Sequence, residues 1–160
     1  MKGIMRTLLV AVSGSSSSLA AAKYGIAMAK AHKCRLIAAY VVDTATLKEL
    51  LLSKIFVEEE SLDYEKSLES NGVRYLNYVE ELARKKGVQI EKVLRRGSIS
   101  TEIVEAAQEC EADVVLVGGF ADKGILHDAI GRQQRDILKN AECSVLIVKE
   151  PDIESIYQKL

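Results

Sequence analysis

Aromatic residues are scarce in this sequence, and its charges nearly balance. The 160 residues include no tryptophan and only two phenylalanines, and 22 basic residues face 23 acidic ones for a net charge of −1. Proteins that bind nucleic acid by stacking on its bases need aromatic side chains beside basic ones. A net charge this small also gives no global field that would attract a polyanion or an anionic membrane. The composition therefore argues against a nucleic-acid partner.

Long apolar runs are missing as well. The amino-terminal stretch has Lys2 and Arg6 ahead of apolar and small residues, as a signal peptide does, but its apolar part spans only residues 8–12 and is typical of a strand. No run reaches the ~20 apolar residues that a membrane-spanning helix needs. With 48% hydrophobic residues, the chain is long enough for one domain with a substantial core. We expect a cytoplasmic domain without membrane contact.

Cysteines and histidines are too few and too scattered to suggest a metal site or a disulfide framework. Cys34, Cys110 and Cys143 form no C-x-x-C pair, and their odd number suits a reducing compartment. His32 and His127 are the only histidines and have no cysteine or carboxylate at ligand spacing. No pairing of a nucleophile with a histidine is visible. The sequence thus gives no candidate catalytic residue and no metal ligands.

Residues 113–149 form the most informative segment. An apolar, β-branched run at residues 114–117 is typical of a strand covered on both faces, and a glycine pair beginning at Gly118 ends it abruptly. Gly118, Gly131 and a glycine between them would let backbone N–H groups approach an oxyanion. A helix that we predict to begin near Arg132 would direct its positive end to the same place. This pattern indicates a phosphate-binding loop.

Strand runs and helical stretches alternate along the whole chain. Short parallel strands joined by right-handed helical crossovers form a three-layer open α/β sheet with a crevice at the carboxyl ends of the strands. The serine hydroxyls of the loop 13–18, just after the first strand, can cap the first helix. The predicted strands span residues 7–12, 36–42, 88–94, 114–117 and 145–148.

Three segments of the chain leave alternatives open. Residues 58–72 lie between two apolar helical stripes and are either a mobile joint or the start of the second helix. The segment 44–71 either covers the ligand crevice or packs as an insertion on one helical layer. The tail 152–160 has apolar residues at i, i+3, i+4 and i+7, but is too short for a stable isolated helix. It docks on its own sheet layer, docks on a partner subunit, or frays. We divide the chain into a domain, 1–150, and a helical tail, 151–160.

The segment 113–149 and the elements before it resemble the universal stress protein family. The family signature in this loop is Gly-x2-Gly-x9-Gly-Ser/Thr, followed by a helix and a last strand. This chain keeps the spacing from Gly118 to Gly131, but Ala121 stands at the second glycine and Arg132 at the hydroxyl residue. The resemblance covers nearly the whole chain. It implies a Rossmann-like sheet of the adenine nucleotide alpha hydrolase type, with five mainly parallel strands in the order 3-2-1-4-5.

The resemblance also implies a place for ATP. In that strand order the loops after the first and fourth strands lie side by side, at the switch point where such sheets bind ligands. Family members hold the base and ribose between the ends of the first two strands, and the phosphates on the glycine loop. The predicted cofactor-binding residues here are Ser13, Val41, Gly118, Ala121, Gly131, Arg132 and Gln133.

Three of these residues depart from the family pattern. Ser13 stands where an acidic residue is usual, and a hydroxyl lacks the acceptor-only character of a carboxylate. Ala121 adds a methyl group where the backbone is expected to approach phosphate. Arg132 is either a bidentate phosphate ligand or a residue that pairs with Asp122 or Asp128 and fills the pocket. The departures favour weak or lost ATP binding.

ATP pyrophosphatases of related topology offer a second comparison for the serine-rich loop. They have Ser-Gly-Gly-x-Asp-Ser after the first strand, and only Ser13, Gly14 and Ser18 match that pattern here. The missing glycine and aspartate remove a flexible backbone position and a carboxylate. We therefore prefer the first resemblance.

The sequence predicts a small, non-enzymatic regulatory or binding protein of the stress response, with weak or lost ATP binding. The alternative is a switch that binds ATP and hydrolyses it slowly, as part of the family does. Family members commonly pair through the last strand, so we expect a homodimer through Val145 and Ile147. The tail 152–160 is a second candidate for that contact.

Overall fold

Strands and helices alternate in the structure as the sequence predicts. The computed structural model describes residues 3–119 and 127–160, and for residues 127–130 it describes the backbone alone. The elements are β1 (Thr7–Val12), α1 (Ser16–His32), β2 (Arg35–Asp43), α2 (Thr44–Leu52), α3 (Glu58–Arg84), β3 (Ile90–Gly97), α4 (Ile99–Glu109), β4 (Val114–Gly118), α5 (His127–Asn140), β5 (Ser144–Val148) and α6 (Ile153–Gln158).

The strands form one parallel sheet in the order β3-β2-β1-β4-β5. At its centre, Val10 of β1 lies between Ala38 of β2 and Leu116 of β4. The predicted class and strand order are confirmed. Because β1 and β4 are neighbours, the loops that follow them begin side by side at the carboxyl edge of the sheet.

Alternate residues of each strand belong to two separate cores. Leu8 and Val10 pack with residues of α1, α3 and α6, whereas Leu9 and Val115 pack with residues of α4 and α5. None of these four side chains has measurable solvent exposure. Full burial of such a side chain contributes about 1.5–3 kcal/mol. The two helical layers are therefore held to opposite faces of the sheet by independent apolar contacts.

The segment between β2 and β3 consists of two helices joined by residues 53–57. The joint includes Lys54 in a left-handed conformation, with φ of 57°. Three glutamates, Glu58, Glu59 and Glu60, form the first turn of the 27-residue helix α3. Negative charge is favourable at that end because the helix dipole is positive there. Of the two alternatives for residues 58–72, the start of the second helix is correct.

Helix α5 begins earlier than its sequence predicts. It starts at His127, so Gly131 and Arg132 lie in its second turn and not at its amino end. The prediction took Gly131 as the end of the loop, but a glycine inside a helix costs only about 1 kcal/mol relative to alanine. The positive end of α5 is therefore not located at Arg132, which corrects that part of the predicted phosphate site.

The tail forms helix α6 and docks on its own chain. Tyr157 is 4% exposed, and its hydroxyl donates to the Leu82 carbonyl of α3 at 2.8 Å. Glu154 forms an ion pair with Lys23 of α1. Lys30 of α1 also donates to the carbonyl of Leu160 at 2.5 Å. Of the alternatives for the tail, the structure shows docking on its own helical layer.

Candidate functional site

A cavity of about 390 Å³ lies at the carboxyl edge of the sheet. Val12, Asp43 and Gly118, at the ends of β1, β2 and β4, form its floor. This volume is within the usual range for small-molecule sites. Most of the wall is apolar and comes from four helices and the α2–α3 joint, through Leu47, Leu50, Phe56, Leu68, Ile99, Ile103 and Ile137.

The serine-rich loop forms one end of the cavity and is held by its own hydroxyls. Ser15 caps α1, since its Oγ accepts from the Ser18 N–H at 3.1 Å. Ser18 Oγ donates to the Ser15 carbonyl at 3.0 Å and accepts from the Ser13 N–H at 3.1 Å. Gly14 has a φ of 82°, which side chains other than glycine rarely adopt. These contacts fix the backbone that faces the cavity.

Gly118 lies in contact with the first turn of α1. A Cβ atom at Gly118 would stand 2.5 Å from the backbone carbonyl oxygen of Ser17. This close approach explains the glycine without any ligand. The adjacent Gly119 N–H donates to the Val148 carbonyl at 2.8 Å, which joins the end of β4 to the end of β5.

Two consecutive glutamines of α5 reach the cavity. Gln133 Oε1 accepts from the backbone N–H of Ser100 at 3.1 Å, which ties α5 to the start of α4. Gln134 Nε2 donates to the carbonyl of Gly118 and lies 3.4 Å from the carbonyl of Gly119. Gln134 is 6% exposed, and its Oε1 has no hydrogen-bond partner among the described residues. This oxygen is enclosed by protein, so the acceptor is unused within the wall.

Asp43 supplies a carboxylate at the end of β2. Its Oδ1 accepts from the Thr46 N–H at 3.0 Å, and its Oδ2 accepts from the Thr46 hydroxyl at 2.7 Å. The side chain therefore caps α2 and holds that helix over the cavity. Phe56 and Tyr64 pack edge to face beyond it, with ring centroids 5.8 Å apart.

Tyr40 lines the cavity from β2 and is 6% exposed. Its ring packs against Gly72 of α3, where an added Cβ would lie 2.5 Å from Tyr40 Cδ1. Burial raises the pKa of its hydroxyl, and the nearby Tyr75 and Tyr64 add to the effect. The Tyr40 hydroxyl makes no hydrogen bond within the described part of the chain. This hydroxyl is not among the buried polar atoms that lack a partner, so solvent reaches it.

The seven predicted cofactor-binding residues do not all lie together. Four of them, Ser13, Val41, Gly118 and Gln133, line the cavity. Gly131 is buried inside α5, and Arg132 is exposed on that helix and is not among the lining residues. Ala121 lies outside the described residues, as do Asp122 and the side chain of Asp128, so the predicted pairing of Arg132 falls there too.

Three residues of the site were missed by sequence reasoning. Gln134 follows the predicted Gln133, but its burial depends on how far α5 is rotated about its axis. Tyr40 is part of an apolar strand run, where a tyrosine is most simply a core residue. Asp43 directly follows that run and precedes a helical stretch, which is the signal of a capping aspartate. Of the three, only Asp43 had a local signal that could have identified it.

The cysteines show no sign of activation. Cys34, Cys110 and Cys143 are unpaired and partly buried. Burial is the main cause that raises the pKa of each thiol. Across residues 3–119 and 131–160, the structure shows no cluster of three metal-ligating side chains. No helix among the described residues is both long and apolar enough to cross a membrane.

Sequence comparison matches this chain to universal stress proteins. The sequence model described as the universal stress protein family matches residues 5–149. A universal stress protein of Methanocaldococcus jannaschii is 30% identical over 160 residues, an alignment that covers 96% of this chain and 87% of that protein.

Solved structures share the fold. A hypothetical protein whose biochemical function was assigned from its structure superposes with a TM-score of 0.74 at 18% identity, over 94% of this chain and 99% of that one. A universal stress protein in complex with cAMP gives a TM-score of 0.65 at 22% identity, over 90% and 96%. A universal stress protein family member from Arabidopsis thaliana with AMP bound gives 0.65 at 18% identity, over 92% and 94%.

Proposed function

Because the chain belongs to the universal stress protein family, we propose that it is a small regulatory protein that binds a ligand in the cavity and catalyses no reaction. The observation behind this proposal is the cavity at the carboxyl edge of β1, β2 and β4. Several polar side chains in its wall, including Ser15, Ser18, Asp43 and Gln133, hold loops and helix ends. Groups engaged in this way are poorly placed for proton transfer.

The proposed ligand belongs to the adenine nucleotides, and ATP binds weakly. Two proteins of the same fold were solved with AMP or cAMP. Four of the predicted residues, Ser13, Val41, Gly118 and Gln133, border the cavity in this chain. Arg132, the predicted phosphate ligand, is exposed instead. A triphosphate would therefore lack the bidentate partner that the sequence suggested.

We further propose that the protein is a cytoplasmic homodimer that pairs through β5. β5 is an edge strand, so one side of its backbone has no partner within this sheet. Three cysteines without disulfides suit a reducing compartment. The tail is not part of the proposed interface, because Tyr157 of the tail is buried against helices α1 and α3 of the same chain.

Calorimetric titration with ATP, ADP and AMP, with and without magnesium, tests ligand binding. Leu50 lines the cavity from α2, whereas Leu52 on the same helix is 74% exposed and does not line it. Leu50→Glu should weaken binding about tenfold or more, because a charge buried in an apolar wall is costly. The matched control Leu52→Glu should bind like the parent protein. Equal affinity in the two variants would place the ligand outside the cavity.

The same samples test the non-enzymatic assignment. We expect no ADP to form from ATP during prolonged incubation with magnesium. Slow ADP formation that Leu50→Glu removes and Leu52→Glu retains would establish the alternative, a switch that binds and hydrolyses ATP.

A further inference from the structure

Large apolar side chains are exposed around the joint between α2 and α3. All lie within residues 51–62, and their exposed fractions range from 37% to 74%. Apolar residues scattered singly over a surface are normal, but a group of them beside polar residues usually marks an interaction site. We call this group the α2–α3 patch; it consists of Leu51, Leu52, Ile55, Val57 and Leu62.

The turn that ends α2 fixes the middle of the patch. The Ile55 N–H donates to the Leu50 carbonyl at 3.0 Å, and the Lys54 N–H donates to the Leu51 carbonyl at 3.1 Å. With Lys54 in the left-handed region, these two bonds form a Schellman motif. The residue at the position of Ile55 frequently packs back on the helix in such a motif, yet Ile55 is 65% exposed. The turn therefore holds an isoleucine at the surface.

The patch is separate from the ligand cavity. Leu50 and Phe56 of the same turn line the cavity, whereas the five patch residues are not among the residues that line it. Adjacent residues of one turn thus belong to two surfaces, with Phe56 in the cavity wall and Ile55 and Val57 outside it. A ligand in the cavity would not account for the exposed apolar residues.

The exposed charges beside the patch are mostly negative. On α3, Glu58 and Glu59 precede Leu62 by four and three residues, so they lie on the same side of the helix as Leu62. None of the carboxylates in residues 48–63 forms an ion pair with another described residue. Two positive and five negative charges give this stretch a net charge of −3; all seven are exposed, namely Lys48, Lys54, Glu49, Glu58, Glu59, Glu60 and Asp63.

This negative charge determines which partner fits the patch. A second copy of the chain would bring two such surfaces together, and like charges facing each other at an interface are costly. An anionic membrane would repel the carboxylates for the same reason. A helix with apolar side chains along one side and lysine or arginine beside them would match both the apolar residues and the carboxylates.

We propose that the α2–α3 patch binds a basic amphipathic helix of another protein. The apolar side of that helix would cover Leu52, Ile55 and Val57, and its cations would lie beside Glu58 and Glu59. This surface lies outside the ligand cavity, so the inference goes beyond the proposed function and does not depend on it.

Fluorescence anisotropy with a labelled model peptide tests the proposal. The probe has about 14 residues, with leucine at positions i, i+3, i+4 and i+7 of a helix and lysine at the others. The comparison peptide has glutamate in place of lysine. We expect the protein to bind the lysine peptide at least about tenfold more tightly than the glutamate peptide at physiological salt. No binding of the lysine peptide, or equal binding of the two peptides, would overturn the proposal.

Ile55→Ser tests the apolar contact. Affinity for the lysine peptide should fall about tenfold or more, because the apolar area of this side chain would no longer be buried by the peptide. Ile4→Ser is the matched control, since Ile4 is 96% exposed and precedes β1 on the side of the sheet opposite the cavity. Its affinity should equal that of the parent protein. Equal affinity in the two variants would place the peptide elsewhere and overturn the proposal.

The double change Glu58→Gln and Glu59→Gln tests the charge. Affinity for the lysine peptide should fall about fivefold, since exposed ion pairs contribute only modestly. The matched control is Glu111→Gln with Glu142→Gln, two exposed glutamates that precede β4 and β5. Both double variants change the net charge of the chain by the same amount. Equal losses in the two would mean that only the total charge matters, which would contradict the proposed contact.

Sedimentation velocity tests whether a second copy of the chain covers the patch instead. Ile55→Ser should leave the oligomeric state of the parent protein unchanged. Loss of a dimer in Ile55→Ser and not in Ile4→Ser would identify a second copy as the occupant, and the proposal would be overturned.

Discussion

Gly118 shows that a motif residue can have a structural reason that is independent of a ligand. The sequence indicates a glycine that admits an oxyanion, but in the structure the backbone carbonyl of Ser17 occupies the space beside its Cα. That contact brings the first turn of α1 against the end of β4. A chain of this fold would need a small residue here whether or not it bound phosphate.

Gly118→Ala should destabilise the protein because the new methyl group meets backbone atoms. The Ser17 oxygen would be 2.5 Å from Cβ, and a backbone group cannot move away as a flexible side chain can. We expect a loss of about 1–3 kcal/mol in the free energy of unfolding, measured by urea denaturation. Gly3→Ala is the control, since the nearest atom to its new methyl group among the described residues is Arg6 Cγ at 3.7 Å. A loss below about 0.5 kcal/mol would show that α1 shifts freely.

Cavity-lining residues at strand ends could be predicted from the sequence. Residues whose side-chain direction depends on the rotation of a helix about its axis could not. The family resemblance implied Ser13 and Val41, and the strand pattern brings them together because the carboxyl ends of neighbouring parallel strands share one edge. Arg132 could not be placed in this way, since its direction depends on where α5 begins. Gln134 is buried for the same reason that Arg132 is exposed: the two lie on different faces of one helix.

At the scale of elements, strong periodicity predicted most of the fold. All five strands agree with the structure, because apolar runs bounded by glycine and polar residues are unambiguous. Their order agrees with the order that the family resemblance implied. Residues 58–72 were ambiguous because most of them are polar and exposed, so they show no clear apolar stripe. Tertiary packing and the acidic first turn, and not local propensity alone, extend that helix.

The docked tail makes a specific stability prediction. Tyr157→Phe removes the donor to the Leu82 carbonyl and leaves that acceptor buried. The free energy of unfolding should fall by about 1–2 kcal/mol. Gln158→Ala, on an exposed position of the same helix, should change it by less than about 0.5 kcal/mol. Equal effects of the two changes would indicate that α6 does not hold this position in solution.

At the scale of the whole molecule, the two edges of the sheet allow a matched test of the proposed dimer. Val145 on β5 and Val93 on β3 are both partly buried and pack against the same core, but they lie on opposite edges. A symmetric β5 interface would bring two copies of position 145 close together. Position 93 would be far from it.

Val145→Glu should therefore dissociate the dimer, and Val93→Glu should not. Like charges brought together at an interface cost several kcal/mol, about a hundredfold or more in the dissociation constant. Sedimentation velocity reports the oligomeric state, and circular dichroism checks that both variants keep the fold. A parent protein that sediments as a monomer, or a Val145→Glu variant that remains a dimer, would contradict the β5 interface.

The cavity also has a mechanical consequence. Tyr40 and Val41 are consecutive residues of β2, yet the first packs with the α1–α3 layer and the second with the α4–α5 layer. Both line the cavity. A bound molecule would thus contact residues that pack with both helical layers, which lie on opposite faces of the sheet. It would connect the two layers through its own contacts. Occupancy would stiffen the molecule across its sheet, so a partner touching either outer layer could sense whether the ligand is present.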